Sequence, residues 1–179
     1  MSTLPPVLFR TLAIKRSIFV SYYHDQYQRY YDTFSTTFSE TYGIVRDNSL
    51  DRVFDSDDTD YVMQRIRDKH ITGTSCTIVL CGPMTPWRKY VDWEIKATLD
   101  KEHGLIGINL PENLAGTNGK VIVPDRLYDN IVSGYATWMT WGQLTQGGPA
   151  FLKSSVEAAI AKPKNLINNT REMRSRNGK

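Results

Sequence analysis

The chain has 179 residues, of which 40% are hydrophobic and 23% are charged, and this composition excludes a disordered or fibrous protein. The length allows one domain with a substantial core and is too short for two ordinary domains. The net charge is +3, but residues 162–179 carry +5 and the rest therefore −2, so the basic charge describes a C-terminal tail and not a fold-wide surface for nucleic acid.

Membrane, secretion and metal signals are absent from the sequence. No apolar run approaches the roughly 20 residues that cross a bilayer, and the N-terminus lacks the pattern of a secretory signal. Cys76 and Cys81 share one apolar run and point to opposite faces of a strand, so they are interpreted as buried thiols in a reducing compartment. The three histidines are scattered, and no metal ligand spacing is present. We therefore expect a cytoplasmic protein without a metal or membrane contact.

The first half of the chain alternates between predicted strands and helices. Residues 17–21 form a short apolar strand, and Asp25 is a candidate cap for the helix that follows it. One face of that helix carries an aromatic row of Tyr27, Tyr30, Tyr31, Phe34 and Phe38. A weaker strand begins near Gly43, residues 46–60 form a polar loop, and a second helix reaches about Ile71.

The second half continues the alternation. Residues 75–82 are apolar on both faces, which predicts a central parallel strand. A helix is expected from Thr85 as its cap and Pro86 as its first residue to about His103. A fourth strand at 105–110, an irregular segment at 111–130, an edge strand at 135–141 and a last helix at 151–161 complete the pattern. The sequence therefore predicts an α/β fold with a five-stranded parallel sheet and helices on both faces.

Ligands of such folds bind beyond the carboxyl ends of the strands. The loops expected there are residues 21–25, 46–60, 82–87 and the segment after Leu110. The chain has no P-loop, no GxGxxG after its first strand and no GxSxG turn, which argues against P-loop enzymes, ordinary dehydrogenases and triad hydrolases. The acidic residues between 55 and 60 lack the spacing of a calcium loop and are interpreted as solvated loop residues and a helix N-cap.

Glu94 is the unusual residue of the stretch WRKYVDWEI (87–95). Trp87, Val91, Ile95, Thr98 and Leu99 mark the inward face of the helix, and Glu94 lies about 60° from Val91 at the margin of that face. A carboxylate there is paired, neutralised or functional.

Two interpretations remain open at this point. Glu94 is either a functional carboxylate or an edge residue that pairs with Arg88, Lys96 or Thr98. Tyr22, Tyr23 and Trp87 are either a stacking surface for a base or nicotinamide ring or rim residues that fill space.

Three segments resemble a known family. They are FVSYYHDQ (19–26), RDNSL (46–50) and WRKYVDWEI (87–95) with a strand on either side, and they are similar to TIR-like domains of the prokaryotic group that includes the TIR subunit of the Thoeris antiphage system. The resemblance covers about residues 15–140. It implies a flavodoxin-like three-layer sandwich, with residues 1–14 as a lead, 15–161 as the TIR-like domain and 162–179 as a basic tail that we expect to be flexible.

The resemblance also implies an activity, which is cleavage of the nicotinamide–ribose bond of NAD+ to give an ADP-ribose-derived signal, cyclic in some members, in antiphage defence. NAD+ would be the substrate, with no separate cofactor. The expected partners are other copies of the chain or an effector protein that responds to the product. The alternative is a noncatalytic TIR-like interaction or scaffold module in signalling. A third possibility, a nucleotide-binding receiver of flavodoxin-like shape, is disfavoured. Phosphoacceptor signalling would need an Asp at the end of the third strand, where Cys81 and Gly82 stand.

Residue roles follow from the same resemblance. Glu94 falls on the catalytic glutamate of the family, where a carboxylate can stabilise positive charge on the ribose. The expected substrate-binding residues are Ser21, Tyr22 and Asp25 in the first loop, Asp47 and Ser49 in the second, Trp87, and Asn113 in the loop after the fourth strand, where Asn118 is an alternative.

Overall fold

The computed structural model describes residues 15–46, 58–113 and 121–178, so the expected lead of residues 1–14 lies outside it. The five strands are β1 (Ser17–Ser21), β2 (Gly43–Arg46), β3 (Cys76–Cys81), β4 (Gly104–Asn109) and β5 (Thr137–Thr140). They form one parallel sheet in the order β2-β1-β3-β4-β5. This confirms the predicted parallel sheet, and the strand order reverses between β1 and β3.

Helices cover both faces of the sheet. They are α1 (His24–Phe38), α2 (Thr59–Ile66), α3 (Lys89–Asp100), α4 (Asp125–Val132) and α5 (Trp141–Ile160), and a π-helical turn, Arg67–Ile71, extends α2. One hydrophobic cluster joins the sheet to α1 and α5, and two others join its opposite face to α2, α3 and α4. The three-layer α/β fold expected from the sequence is therefore confirmed.

β3 is buried on both faces of the sheet, which explains its largely apolar sequence. All six of its side chains are buried, with Cys76, Ile78 and Leu80 in the cluster under α1 and α5. Val79 and Cys81 lie in a cluster on the other face. The two cysteines are free and face opposite layers, as predicted from their spacing.

Three predicted helix starts are wrong, and one helix was not predicted. α5 begins at Trp141 and not at Phe151, and α4 (Asp125–Val132) begins in a segment that was expected to be irregular. α1 begins at His24 with Tyr23 at its N-cap, and Asp25 lies in the first turn without capping it. α3 begins at Lys89, and Thr85–Trp87 is instead a separate 3₁₀ turn. The Thr85 hydroxyl accepts from the Gly82 N–H at 2.9 Å and donates to the Leu80 carbonyl at 3.2 Å, so it closes the turn after β3.

The C-terminal segment, residues 163–178, lies across α3 and α4. Asn168 and Asn130 exchange two hydrogen bonds, from the Asn130 amide to the Asn168 carbonyl at 2.7 Å and from the Asn168 N–H to Asn130 Oδ1 at 3.0 Å. Near its end, the Gly178 N–H donates to the Trp87 carbonyl at 2.9 Å. This placement differs from the flexible tail expected from the sequence. Within the described ranges, no helix has the length and apolar character that a bilayer crossing requires.

Candidate functional site

The candidate site lies at the carboxyl ends of β1 and β3, where the strand order reverses. Ser21 ends β1, and Glu94 lies in the second turn of α3, the first α-helix after β3. The Ser21 hydroxyl donates to Glu94 Oε2 at 2.5 Å, with Ser21 0% and Glu94 2% exposed. The structure therefore brings together the two residues that the resemblance assigns to the first loop and to catalysis.

The surroundings of Glu94 differ from those of an ordinary surface glutamate. Lys96 pairs with Asp100 at 3.1 Å, and the guanidinium of Arg88 lies over the Tyr23 ring at 3.5 Å. These are the cations that the sequence offers as structural partners, and each has another contact of its own. A carboxylate buried in a core needs hydrogen bonds to offset its lost hydration, and Ser21 supplies one of them.

A chain of hydroxyl groups supports the helical turn that carries Glu94. Thr98 Oγ1 donates to the Glu94 backbone carbonyl at 2.8 Å, and Thr77 Oγ1 lies 2.7 Å from Thr98 Oγ1. A hydroxyl has one hydrogen to donate, so Thr77 is the donor to Thr98. The chain ties the Glu94 turn to β3. Helical periodicity predicts Thr98 on the inward face of α3, but no local pattern indicates its contact with Thr77, which belongs to another element.

The first loop contributes side chains with different degrees of exposure. Tyr22 is buried, its hydroxyl donates to Gln28 Oε1 at 2.8 Å, and its ring stacks on Tyr31 at 4.9 Å between centroids. This packing agrees with the interpretation of Tyr22 as a space-filling residue. Asp25 is exposed and accepts from the Tyr23 hydroxyl at 3.0 Å.

The remaining predicted binding residues follow the ends of β3 and β4. Trp87 is half-buried, and the guanidinium of Arg174 lies 5.4 Å from its ring centre. Asn113 is buried, and its amide donates to the Ile122 carbonyl at 2.9 Å. Its Oδ1 has no hydrogen-bond partner in the described part of the chain. Asp47, Ser49 and Asn118 lie outside the described residues.

A buried ion pair that was not predicted from the sequence joins α3 to α4. Arg126 is 0% exposed, and it donates to Asp92 through Nε at 2.8 Å and Nη2 at 3.3 Å. Its Nη1 also donates to Asn169 Oδ1 at 2.9 Å. The pair joins α3, α4 and the C-terminal segment. Asp92, a second carboxylate in a largely apolar helix, was the available signal.

Nucleophilic and metal chemistry have little support in this region. Burial raises the pKa of both thiols, Cys76 and Cys81, well above their ordinary range, so they are neutral at physiological pH. Across residues 15–46, 58–113 and 121–178, no group of three His, Cys, Asp or Glu side chains is placed to hold a metal ion. The chemistry that this arrangement offers is that of one oriented, buried carboxylate.

Comparison with known proteins identifies the family. The sequence model described as Thoeris protein ThsB, TIR-like domain, matches residues 19–115, which is more than half of the chain. The match runs from β1 past β4 and includes Ser21, Glu94 and Asn113. No curated protein matches the chain. The chain belongs to the family of Thoeris ThsB TIR-like domains, which makes it a TIR-like protein associated with defence.

Proposed function

We propose that this protein cleaves the nicotinamide–ribose bond of NAD+ and forms an ADP-ribose-derived signal, with Glu94 as its catalytic residue. The observation that supports this most directly is the buried Glu94 carboxylate, which Ser21 holds at 2.5 Å where parallel α/β sheets bind their ligands. Membership of the Thoeris family supports the same activity.

The proposed reaction requires one well-placed carboxylate. The bond between the ribose C1′ and the pyridinium nitrogen breaks, and its electron pair leaves with neutral nicotinamide. Positive charge then develops on the ribose, and the negative Glu94 carboxylate stabilises it and accepts hydrogen bonds from the ribose hydroxyls. If water attacks C1′, the product is ADP-ribose and a proton is released. If an atom of the ADP-ribose moiety attacks C1′ instead, the product is a cyclic isomer. Ser21 would orient the carboxylate during these steps.

The proposal extends to the setting of the reaction. NAD+ is the substrate, so the cleavage needs no further redox cofactor. We propose the cytoplasm as the compartment, because the two free buried thiols suit a reducing environment. Other copies of the chain, or an effector protein that binds the product, would be its partners.

A noncatalytic interaction module is the alternative function. One observation favours it, since α4 exposes two large apolar side chains, with Tyr128 56% and Val132 68% exposed. Exposed apolar residues close together on a helix are found at protein contact surfaces.

Mass spectrometry of NAD+ incubated with the full chain, before and after activation by phage-infected lysate, tests the proposal. We expect nicotinamide and an ADP-ribose product from the wild type, and a rate reduced by about 100-fold or more in Glu94→Gln, since the variant keeps the shape of the side chain and loses its charge. Glu157→Gln is the matched control, because Glu157 lies on α5 and pairs with Arg16 at 3.0 Å. Equal rates in Glu94→Gln and the wild type would remove Glu94 from the mechanism. Self-association without nicotinamide release from the activated wild type would favour the interaction module.

A further inference from the structure

A cavity of about 340 Å³ lies between the start of α3, the start of α4 and the C-terminal segment. Its charged lining consists of Arg88, Asp92, Asp125, Arg171, Glu172 and Arg174. Asp92 and Glu94 are two positions apart on one helix, about 200° around its axis, so the cavity is on the side of α3 away from Glu94. The cavity is therefore separate from Glu94, although Arg174 in its lining lies against Trp87, which the resemblance assigns to substrate binding.

Several of the charges around the cavity are already neutralised. The Asp92 carboxylate accepts from Arg126 at 2.8 and 3.3 Å and from the Arg174 backbone N–H at 2.8 Å. Arg171 donates to Asp129 at 2.8 and 3.0 Å and lies 3.9 Å from Asp125. Three carboxylates face two arginines in this set, so its net charge is −1, with the Asp125 side chain 70% exposed to solvent.

Arg88 and Arg174 are the cations that remain. Within the described ranges, neither guanidinium forms an ion pair with a carboxylate. Glu172, an acidic residue of the lining, also forms no ion pair within the described ranges, and it is exposed to solvent. The cavity thus has two arginines whose charges no described carboxylate balances directly.

Both arginines also have an unsatisfied donor. Six buried polar side-chain atoms of the described residues lack a hydrogen-bond partner, and two of these are Nε of Arg88 and Nε of Arg174. A buried N–H without a partner is unfavourable and commonly indicates a missing water or ion. Each guanidinium is held against an aromatic ring, Arg88 over Tyr23 and Arg174 over Trp87, so its plane is oriented in advance.

We propose that this cavity binds a phosphate-class oxyanion through Arg88 and Arg174. The planar donor fork of arginine matches the oxygens of phosphate, and the N-terminal ends of α3 and α4 at the cavity favour negative charge. A volume of 340 Å³ accommodates a phosphate or diphosphate group with an adjoining sugar. Free phosphate and the phosphate end of a nucleotide share this chemistry.

A bound anion would have a structural consequence for α3. Arg88 directly precedes α3, whereas Arg174 belongs to the C-terminal segment, so an anion between them bridges that segment to the helix that carries Glu94. The proposal concerns equilibrium binding and does not depend on NAD+ cleavage.

Isothermal titration calorimetry of the full chain tests the site, with inorganic phosphate, pyrophosphate and ADP-ribose as separate probes. We expect saturable binding that weakens about tenfold in Arg88→Gln and in Arg174→Gln, because each loses one charge-assisted contact. Arg65→Gln is the matched control, since Arg65 also lies over an aromatic ring, Tyr61 at 5.7 Å, on α2. Its affinity for each probe should equal that of the wild type.

The probes distinguish the source of the anion. Phosphate or pyrophosphate binding at least as tight as that of ADP-ribose supports a free anion, and tighter ADP-ribose binding with the same loss in both variants supports a nucleotide. No saturable binding, or unchanged affinity in both variants, overturns the proposal. If a variant does not fold, NMR of the wild type tests the proposal. The Nε–H signals of Arg88 and Arg174 should shift when phosphate is added. Unshifted signals would exclude the site.

Discussion

The Ser21 hydroxyl donates to Glu94 Oε2 at 2.5 Å, although 73 positions separate the two residues in the chain. Both side chains are buried, so the bond forms where water competes little for the carboxylate. One strand end and one helix thus fix the direction in which the carboxylate faces, and the helix cannot shift along β1 without breaking this contact.

Replacement of Ser21 should therefore affect both stability and turnover. Ser21→Ala removes a donor from a buried carboxylate, which we expect to lower the free energy of unfolding by about 1–3 kcal/mol. If Glu94 is catalytic, we expect kcat for NAD+ cleavage to fall about tenfold with a smaller change in KM, because the carboxylate loses orientation more than the substrate loses contacts. Urea unfolding and steady-state kinetics measure the two effects.

Ser154→Ala is the control for this change, because the Ser154 hydroxyl donates only to the carbonyl of Phe151 in its own helix at 2.9 Å among the described contacts. Its unfolding curve and kinetics should match the wild type. A Ser21→Ala protein with wild-type stability would mean that the contact with Glu94 contributes nothing in solution.

The predictable part of this molecule is the part with hydrophobic periodicity. The run from Cys76 to Cys81 is apolar at every position but Thr77, and it indeed forms a central strand buried on both faces. The same reasoning placed Glu94 at the margin of an inward face, and the structure buries it, along with most of α3.

Long-range polar contacts could not be predicted in this way. Thr85 has the residue type of a helix cap, yet its hydroxyl bonds to the turn after β3, and no local pattern distinguishes the two uses. Residues 111–130 were expected to be irregular, so Arg126 was not placed on a helix, and its burial depends on Asp92, 34 positions earlier. Residues 163–178 dock through polar side chains and backbone groups, and Leu166, Ile167 and Met173 also pack against the hydrophobic clusters. The basic composition of the segment alone suggested a solvated tail.

The end of the C-terminal segment caps the helix that carries Glu94. Asn177 Oδ1 accepts from the backbone N–H of Lys89, the first residue of α3, at 2.9 Å. Asn177→Ala leaves this N–H without its acceptor, so we expect a loss of up to about 1 kcal/mol in the free energy of unfolding and faster hydrogen exchange at Lys89. Asn177→Asp keeps an acceptor and should retain the slow exchange. Equal exchange rates in the two variants would show that the cap is not formed in solution.

The buried pair of Arg126 and Asp92 should dominate the stability of the α3–α4 contact. Arg126→Met leaves the Asp92 carboxylate buried without its cation, which we expect to lower the free energy of unfolding by about 3–5 kcal/mol. Arg171→Met is the matched control, because Arg171 makes a similar two-bond contact with Asp129 but is 44% exposed, and its loss should cost at most about 1 kcal/mol. Urea unfolding measures both, and equal effects would contradict the special role of the buried pair.

Tyr135 should make the stability of the fold depend on pH in the alkaline range. Burial, with smaller contributions from Cys76 and Glu102, raises the pKa of Tyr135 to about 12. Its hydroxyl donates to the His103 carbonyl at 2.7 Å, a bond that only the neutral phenol can make. An unfolded tyrosine has a pKa of about 10. Between these two values the unfolded chain has released the proton that the folded chain still holds, so stability falls as pH rises.

The Tyr135→Phe variant has no phenol proton to release. Comparing it with the wild type therefore isolates the contribution of Tyr135 ionisation to the pH dependence of stability. Near neutral pH the variant should be less stable than the wild type by about 1 kcal/mol, because the bond to His103 is lost. From about pH 9 to about pH 12 that difference should shrink, since only the wild type loses the contribution of the protonated phenol. Urea unfolding of both proteins across this range tests the prediction, and a phenolate absorbance titration of the folded proteins shows the tyrosine directly. A difference in stability that stays constant with pH would mean that Tyr135 ionises as readily in the fold as in the unfolded chain.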